Sequence, residues 1–332
     1  MVGEKNRKNS FYELQPDLVL EATEQSGFRT TGEMTQLNSY ENRVFDIRLE
    51  KTPGAPERVI AKFYRPGRWN ADALLEEHEF LHELAAEGFE VAAPYILQSG
   101  STLGVAGDLF FALFPKIQGR MPEELLERDW KQVGRLLARV HSLGARSEFK
   151  HRPVVGETPF SPWETLELLE KWISPEMWPR YEAAAIELLD RIDDEIDRGE
   201  YQRIHGDCHR GNLICFDERI SLVDFDDCGM GPVVQDFWML FTSAMGEDER
   251  DLLIEGYEEF REFPHHQLAW IPLLRGLRIL SYSGWIARRW DDPFFPKTFP
   301  DFGSYTMWAE ETEALEKIAW GLRLAPPSDD IN

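Results

Sequence analysis

Residues 203–228, RIHGDCHRGNLICFDERISLVDFDDC, decide how the rest of the chain is read. Three polar residues stand out among apolar neighbours: Asp207, Asn212 and Asp224. Asn212 follows Asp207 by five residues, and Asp224 follows Asn212 by twelve. Leu213–Phe216 and Ile220–Val223 read as two short strands joined by a turn at Asp217-Glu218-Arg219. A hairpin of that length returns Asp224 to the side of Asn212 and leaves Asp207 one loop away. A divalent cation carrying nucleotide phosphates takes oxygen ligands, commonly a carboxylate and an amide carbonyl. A second carboxylate orients the attacking hydroxyl and accepts its proton. On that chemistry Asn212 and Asp224 are expected to hold Mg2+, Asp224 counting as catalytic too, with Asp207 as the base. The bland alternative is a surface hairpin with incidental acids. Residue types, both spacings and the intervening strands all argue against it.

The protein-kinase catalytic loop has the form H-R-D-x-x-x-x-N, followed by D-F-G. This chain reads His205-Gly206-Asp207, then Asn212, then Asp224-Phe225-Asp226. Its 332 residues allow two compact domains or one large bilobed one, and 42% hydrophobic content is enough for packed cores. A formal charge of −24, from 36 basic and 60 acidic residues, argues against nucleic acid or an anionic membrane as main partner. A local basic pocket for nucleotide remains compatible with it. Cys208, Cys215 and Cys228 include no CxxC pair, and an odd count fits free thiols in a reducing compartment. They read as small, partly buried space-fillers. The opening MVGEKNRKNS has no apolar signal core, and the apolar run Leu268–Ala287 is interrupted by Arg275 and Arg278. A cytoplasmic protein is the expectation.

The chain reads as α+β. Pro16–Ser26 has a short helical pattern. Strands are expected at Met34–Leu37, Arg43–Leu49, Arg58–Tyr64, Val91–Leu97 and Leu109–Pro115. Between the third and fourth, Asn70–Glu87 repeats apolar residues at three and four, with Asn70 as N-cap. This makes an antiparallel sheet plus a helix in residues 1–115, the expected nucleotide-binding lobe. Residues 116–332 are the expected catalytic lobe and are mostly helical. Helices are expected at Pro122–Leu143, Trp163–Ile173, Pro179–Arg198, Val233–Ala244, Glu247–Phe260, His265–Trp290 and Trp308–Leu322.

A phosphotransferase also needs a cation on the nucleotide phosphates. Lys62 lies mid-strand in Val59-Ile60-Ala61-Lys62, close to the V-A-I-K form. A lysine in an apolar strand is costly unless paired or bound to an anion. Glu76, Glu77 and Glu79 are available on the next helix, and Glu77 lies nearest the apolar stripe, so it is the chosen partner. G-x-G-x-x-G is absent, but Asn38-Ser39-Tyr40-Glu41-Asn42 could offer backbone N–H groups and the Ser39 hydroxyl to phosphate. Adenine is expected where the two lobes join, at Pro115 and Ile117; Pro115 can offer only its carbonyl. Asp236 either accepts N–H bonds from the catalytic loop or is a helix N-terminal acid. His205 reads as a packed structural histidine.

At this point the chain resembles a known group. His205-Gly206-Asp207-x-His209-x-Gly211-Asn212 with Asp224-Phe225-Asp226 looks like the signature of the aminoglycoside phosphotransferase and choline kinase group. Further stretches are similar to the bacterial stress response kinase A family: LNSYENRV at 37–44, KFYRP at 62–66, HGDCH at 205–209, GPVVQD at 231–236, and Arg288-Arg289-Trp290 with Phe295-Pro296-Lys297. The resemblance runs from about Phe11 to about Trp320. It implies a bilobed protein-kinase-like fold, ATP and Mg2+, and a monomeric serine/threonine protein kinase of stress responses with possible autophosphorylation. It implies Asp207 as proton acceptor, Asn212 and Asp224 as metal ligands and Ser39 as an ATP contact. Arg210 departs from the small residue expected between His209 and Gly211, which bears on acceptor contacts.

Residue chemistry alone does not name the acceptor. Only eleven residues separate Asp224 from Asp236, with no long segment ending in A-P-E. That shortness favours a small-molecule alcohol, such as an amino alcohol, amino acid or aminoglycoside. The resemblance favours a protein hydroxyl, and it is given the greater weight. A pseudokinase or binding module would lack Asp207, Asn212, Asp224 or Lys62, and all four are present.

Overall fold

A computed structural model of the chain describes residues 11–157, 159–241 and 247–324. The fold is mixed α+β, with an antiparallel N-terminal sheet and a helical C-terminal region. The sheet contains β1 (Thr30–Leu37), β2 (Arg43–Leu49), β3 (Arg58–Phe63), β4 (Gly104–Ala106) and β5 (Leu109–Pro115), in the order β1-β2-β3-β5-β4. Successive side chains of a strand point to opposite faces. On β3, Val59, Ala61 and Phe63 are fully buried, in a core with Phe45, Ile47, Phe111, Leu113 and residues of α1 (Pro16–Gln25). Lys62 therefore stands on the other face, in register with Val44 of β2 and Ala112 of β5. Next in sequence is α2 (Ala71–Ala86), capped by Asn70, whose Oδ1 accepts the Ala73 N–H at 2.8 Å.

The strand expected at 91–97 does not form. Pro94 lacks the donor a ladder requires. The segment keeps one bond to β5, from Tyr95 N–H to the Leu113 carbonyl, and β4 takes the sheet edge. The helix expected from Pro122 begins later, as α3 (Glu127–Gly144), because Asp129 Oδ2 accepts the Leu126 N–H at 2.9 Å and caps it there.

The chain divides into two compact units. The first comprises Met1–Arg152, Asp207–Cys228 and Met239–Glu262. Within it, α7 (Glu247–Glu258) packs on α3 at very short range. A Cβ on Gly134 would fall 2.1 Å from the Leu253 carbonyl oxygen, and one on Gly256 would fall 2.2 Å from that of Lys131. Only glycine permits this approach.

The second unit comprises Pro153–Gly206, Gly229–Trp238 and Phe263–Asn332. Its core is built by α4 (Pro162–Leu169), α5 (Trp178–Glu195), α8 (Ile271–Arg288) and α10 (Tyr305–Leu324), around Leu188, Leu273, Leu280 and Trp308. A short α9 (Phe294–Thr298) follows α8. The expected helix from His265 is a 3-10 turn, His265–Trp270, before Pro272 opens α8 in its first turn. Of the helix expected at 233–244, α6 (Gln235–Trp238) is helical, and 242–246 lie outside the described residues. Two three-residue strands, β6 (Gln202–Ile204) and β9 (Gly229–Gly231), pair antiparallel. Among the described residues, no helix is long and apolar enough to cross a membrane.

Inside this unit the Glu311 carboxylate is largely enclosed. It accepts from Tyr181 Oη at 2.8 Å and from Ser283 Oγ at 2.6 Å. Burial raises its pKa to about 7, against the opposing pull of the two hydroxyl donors. A carboxyl whose folded pKa lies above its unfolded value binds protons more tightly in the native state. Its contribution is therefore most favourable below pH 4.5 and is lost as pH rises towards 7. Glu311→Gln is expected to flatten this part of the stability profile and to gain about 1 kcal/mol or more at pH 8. Urea unfolding at pH 5 and pH 8 reads it; an unchanged difference between the two would refute the assignment.

Candidate active site

Strands β7 (Leu213–Phe216) and β8 (Arg219–Leu222) form the expected hairpin, both in the first unit. Its turn needs only Asp217 and Glu218, at φ 45° and 64°. Both central residues have positive φ, the hand that suits a two-residue hairpin. Leu213 faces Leu222, and the Val223 N–H reaches the Asn212 carbonyl at 3.0 Å. Asp224 thus begins one residue beyond Asn212's partner. It lies in the left-handed region, at φ 62° and ψ 66°, which aspartate tolerates better than most residues.

Asn212 is buried, and its Nδ2 donates to the Asp207 carbonyl at 2.9 Å. That spends one amide donor on the loop that starts at Asp207 and leaves Oδ1 as the atom that would suit a cation. His209 stiffens the same loop: its Nδ1 accepts the Gly211 N–H at 2.9 Å, and its Nε2 lies 3.5 Å from Asp207 Oδ2. Arg210 turns its guanidinium over the Trp130 ring of α3, 5.0 Å from the centroid. In the second unit, Asp236 accepts the His205 and Gly206 N–H groups, both at 2.8 Å, so the backbone-accepting alternative is the one realised. His205 is fully buried.

Lys62 is the centre of an acidic cluster in the first unit. Its Nζ lies 3.2 Å from Asp226 Oδ1, 3.5 Å from Asp224 Oδ1 and 3.9 Å from Glu77 Oε1. Burial opposes the ammonium charge, but Asp226, Glu77 and Asp224 outweigh it and hold the Lys62 pKa above its usual range. Glu77 is pushed up to about 7 by burial, with Lys62 and Arg152 pulling the other way. Asp226 is also disfavoured by burial, yet Lys62, Arg68 and Arg152 hold its carboxyl well below the usual range.

Three residues of this cluster were not singled out from sequence as site residues: Arg68, Arg152 and Asp226. Arg68 bonds Asp226 and Asp227. Arg152 is buried, 3.4 Å from Glu77 Oε2, and donates to the Asp226 carbonyl at 2.7 Å and the Cys228 carbonyl at 2.9 Å. Asp226 was visible as the departure of D-F-D from D-F-G. No short-range signal marks Arg152, whose partners lie 74 to 79 residues away in sequence. Cys208 and Cys228 are buried and in no disulfide, and burial pushes Cys228 up to about 12, consistent with space-filling roles.

Ser39 lies in the β1–β2 loop, where its Oγ accepts the Asn42 N–H at 3.2 Å. Arg65 ties the loop down from its Nε to the Glu41 carbonyl at 3.0 Å and its Nη2 to the Tyr40 carbonyl at 3.2 Å. Pro115 ends β5 opposite Val59. The chain continues through Ile117 to Arg120, which exchanges two backbone bonds with Cys215 of β7. Gly119, at φ 122°, makes this possible, since a Cβ there would lie 2.5 Å from the Cys215 carbonyl oxygen. Geometry therefore gathers Lys62, Glu77 and Asp224 into one cluster and joins Asn212 to Asp207. Pro115 and Ile117 lie on the segment linking β5 to the hairpin.

Among the described residues no group of three or more His, Cys, Asp or Glu is arranged to hold a metal ion. One carboxylate and one amide carbonyl, Asp224 and Asn212, nevertheless fit a Mg2+ that keeps waters and takes its other ligands from phosphates.

Residues 33–271 match the family model described as phosphotransferase enzyme family, APH. Stress response kinase A of Escherichia coli (strain K12) is 36% identical over 329 residues, spanning 97% of each chain. The protein named serine/threonine protein kinase RdoA of Salmonella typhimurium (strain LT2) is 36% identical over 309 residues, spanning 91% of this chain and 92% of that one. Among solved structures, amicoumacin kinase hAmiN in complex with AMP-PNP, Ca2+ and Ami superposes with a TM-score of 0.72 at 21% identity, over 95% of both chains. A microcompartment-associated aminopropanol kinase superposes with a TM-score of 0.66 at 17% identity, over 92% and 95%. At these identities the two structures bear on the fold alone.

Proposed function

The chain belongs to the phosphotransferase enzyme family, within the stress response kinase A group, and from that premise we propose an ATP- and Mg2+-dependent serine/threonine protein kinase, monomeric and cytoplasmic. In this reading residues 1–115 are the nucleotide-binding lobe and 116–332 the catalytic lobe. Lys62 holds the phosphates, with Glu77 behind it. Ser39 and the backbone of its loop contact the phosphates, and Pro115 and Ile117 meet the adenine. Asn212 and Asp224 hold Mg2+, which when bound neutralises phosphate charge and aligns the γ-phosphoryl group. Asp207 accepts the proton as the acceptor hydroxyl oxygen bonds the γ-phosphorus. The bond to the β–γ bridging oxygen breaks and ADP leaves.

The observation that carries this reading is the 3.5 Å approach of Lys62 Nζ to Asp224 Oδ1. It supports the reading because a lysine and a carboxylate this close can serve one nucleotide, the first on its phosphates and the second on its metal. The protein acceptor is supported by the similarity to the Salmonella serine/threonine protein kinase RdoA and to the stress response kinases. A second reading, transfer to a small-molecule alcohol, is favoured by the short Asp224-to-Asp236 segment.

Radiolabelled ATP with Mg2+ separates the two. Label on protein, absent with Asp207→Ala, is expected. Turnover confined to amines, sugars or amino alcohols would replace the protein-kinase reading with the second. Label that persists with Asp207→Ala would remove Asp207 from the base role.

A further inference from the structure

In a D-F-G turn the third residue has no side chain, so a phosphate-binding lysine takes its partner from a neighbouring helix. Here the third residue is Asp226, and it is the nearest of the three carboxylates to Lys62, at 3.2 Å against 3.9 Å for Glu77. The other two carboxylates are each engaged elsewhere. Glu77 faces the buried Arg152 guanidinium at 3.4 Å. The Asp224 side chain is 57% exposed, open to the metal assigned to it above.

Asp226 cannot turn away from the lysine. Its Oδ2 is held by Arg68 and by Asn42 Nδ2, the latter at 2.9 Å. Its backbone carbonyl is held by Arg152 Nη2 at 2.7 Å. The Asn42 amide is itself fixed, because its Oδ1 accepts the Arg65 N–H at 3.2 Å. The Asn42 N–H then reaches Ser39 Oγ at 3.2 Å. A continuous chain of bonds thus runs from Lys62 through Asp226 and Asn42 to Ser39. It joins β3, the turn after the hairpin and the β1–β2 loop within one unit.

We propose that Asp226, more than Glu77, is the positioning residue for the Lys62 ammonium, and that through Asn42 the same carboxylate sets the β1–β2 loop over the nucleotide phosphates. This rests on the nucleotide-site reading given above and adds to it a partner and a coupling. A carboxylate locked by Arg68 and Asn42 holds the lysine extended from behind when Asp224 turns to metal. The partner comes from the turn that carries the metal ligand, so lysine, loop and metal ligand are registered by one short segment.

The test is the affinity of the full-length protein for AMP-PNP with Mg2+, measured by calorimetry alongside ATP turnover and thermal melting. Asp226→Asn is expected to weaken nucleotide affinity about tenfold or more, and Glu77→Gln by less, about threefold. Asp226→Glu should recover part of the loss, chiefly in KM. The proposal is overturned if Glu77→Gln costs more affinity than Asp226→Asn. It is equally overturned if Asp226→Asn lowers the melting temperature while nucleotide affinity stays unchanged, which would mark a merely structural residue. Should Asp226→Asn not fold, Asp226→Ser is compared with Glu77→Gln, and the same ordering decides. Wild-type protein that binds no Mg2+·AMP-PNP would remove the nucleotide reading itself, whereas wild-type binding with an indifferent Asp226→Asn removes this proposal alone.

Discussion

Asp224→Asn is expected to lower phosphoryl-transfer turnover about a thousandfold while leaving the fold in place. The magnitude follows from the several kcal/mol a metal supplies to developing phosphate charge, at about 1.4 kcal/mol per tenfold in rate. Asparagine is the informative substitution because the backbone constrains the choice. At φ 62° an alanine would add a conformational cost, whereas asparagine tolerates the left-handed region and matches aspartate in size. Loss of activity then reports the lost charge. The change also removes one carboxylate 3.5 Å from Lys62, leaving Asp226 and Glu77 beside it. Metal titration checks the assignment: the variant should need a higher Mg2+ concentration for half-maximal residual activity. Full activity at wild-type Mg2+ dependence would strike Asp224 from the ligand set.

The parts of this site that were legible in sequence share one property: local spacing determines them. A five-residue loop joins Asn212 to Asp207, a tight hairpin returns the chain to Asn212 just before Asp224, and periodicity places Lys62 on a strand and Glu77 on the next helix. The same holds for most of the fold. Strand β3 and helix α2 fall within a residue or two of their patterns, because their apolar residues repeat at two, and at three and four. What was not legible depends on distant partners or on the absence of a side chain. Val91–Leu97 has strand composition, but Pro94 denies it a ladder. Pro122 looked like a helix start, but the Asp129 carboxylate sets the boundary five residues later. Strands β6 and β9 have three residues each and exist only as partners. Asp226 stands inside the quoted motif, but its contacts are to Arg68 and Asn42, 158 and 184 residues away in sequence.

Arg152 is the extreme case of such a distant partner, and Arg152→Ala is expected to be among the most damaging single changes in the first unit. The side chain is fully buried and donates to the carbonyls of Ala73, Asp226 and Cys228 as well as to Glu77. Removing one member of a buried ion pair costs about 3–5 kcal/mol, since the remaining charge loses its compensation. The loss should depend on pH. In the intact protein Glu77 has a pKa raised to about 7, so its unfavourable contribution develops as pH rises from 4.5 through 7. Without Arg152 the carboxyl is driven higher still, and the window in which the native state must hold a proton extends upward. The destabilisation is therefore expected to be larger at pH 8 than at pH 5.5, where Glu77 is mostly protonated in both proteins. Adding Glu77→Gln to Arg152→Ala should recover the pH-dependent part and leave the cost of the lost bonds to the three carbonyls. Urea unfolding at the two pH values, on the single and double variants, measures both parts. A cost of less than about 1 kcal/mol, or one indifferent to pH, would mean that water or Lys62 takes over the role assigned to the arginine.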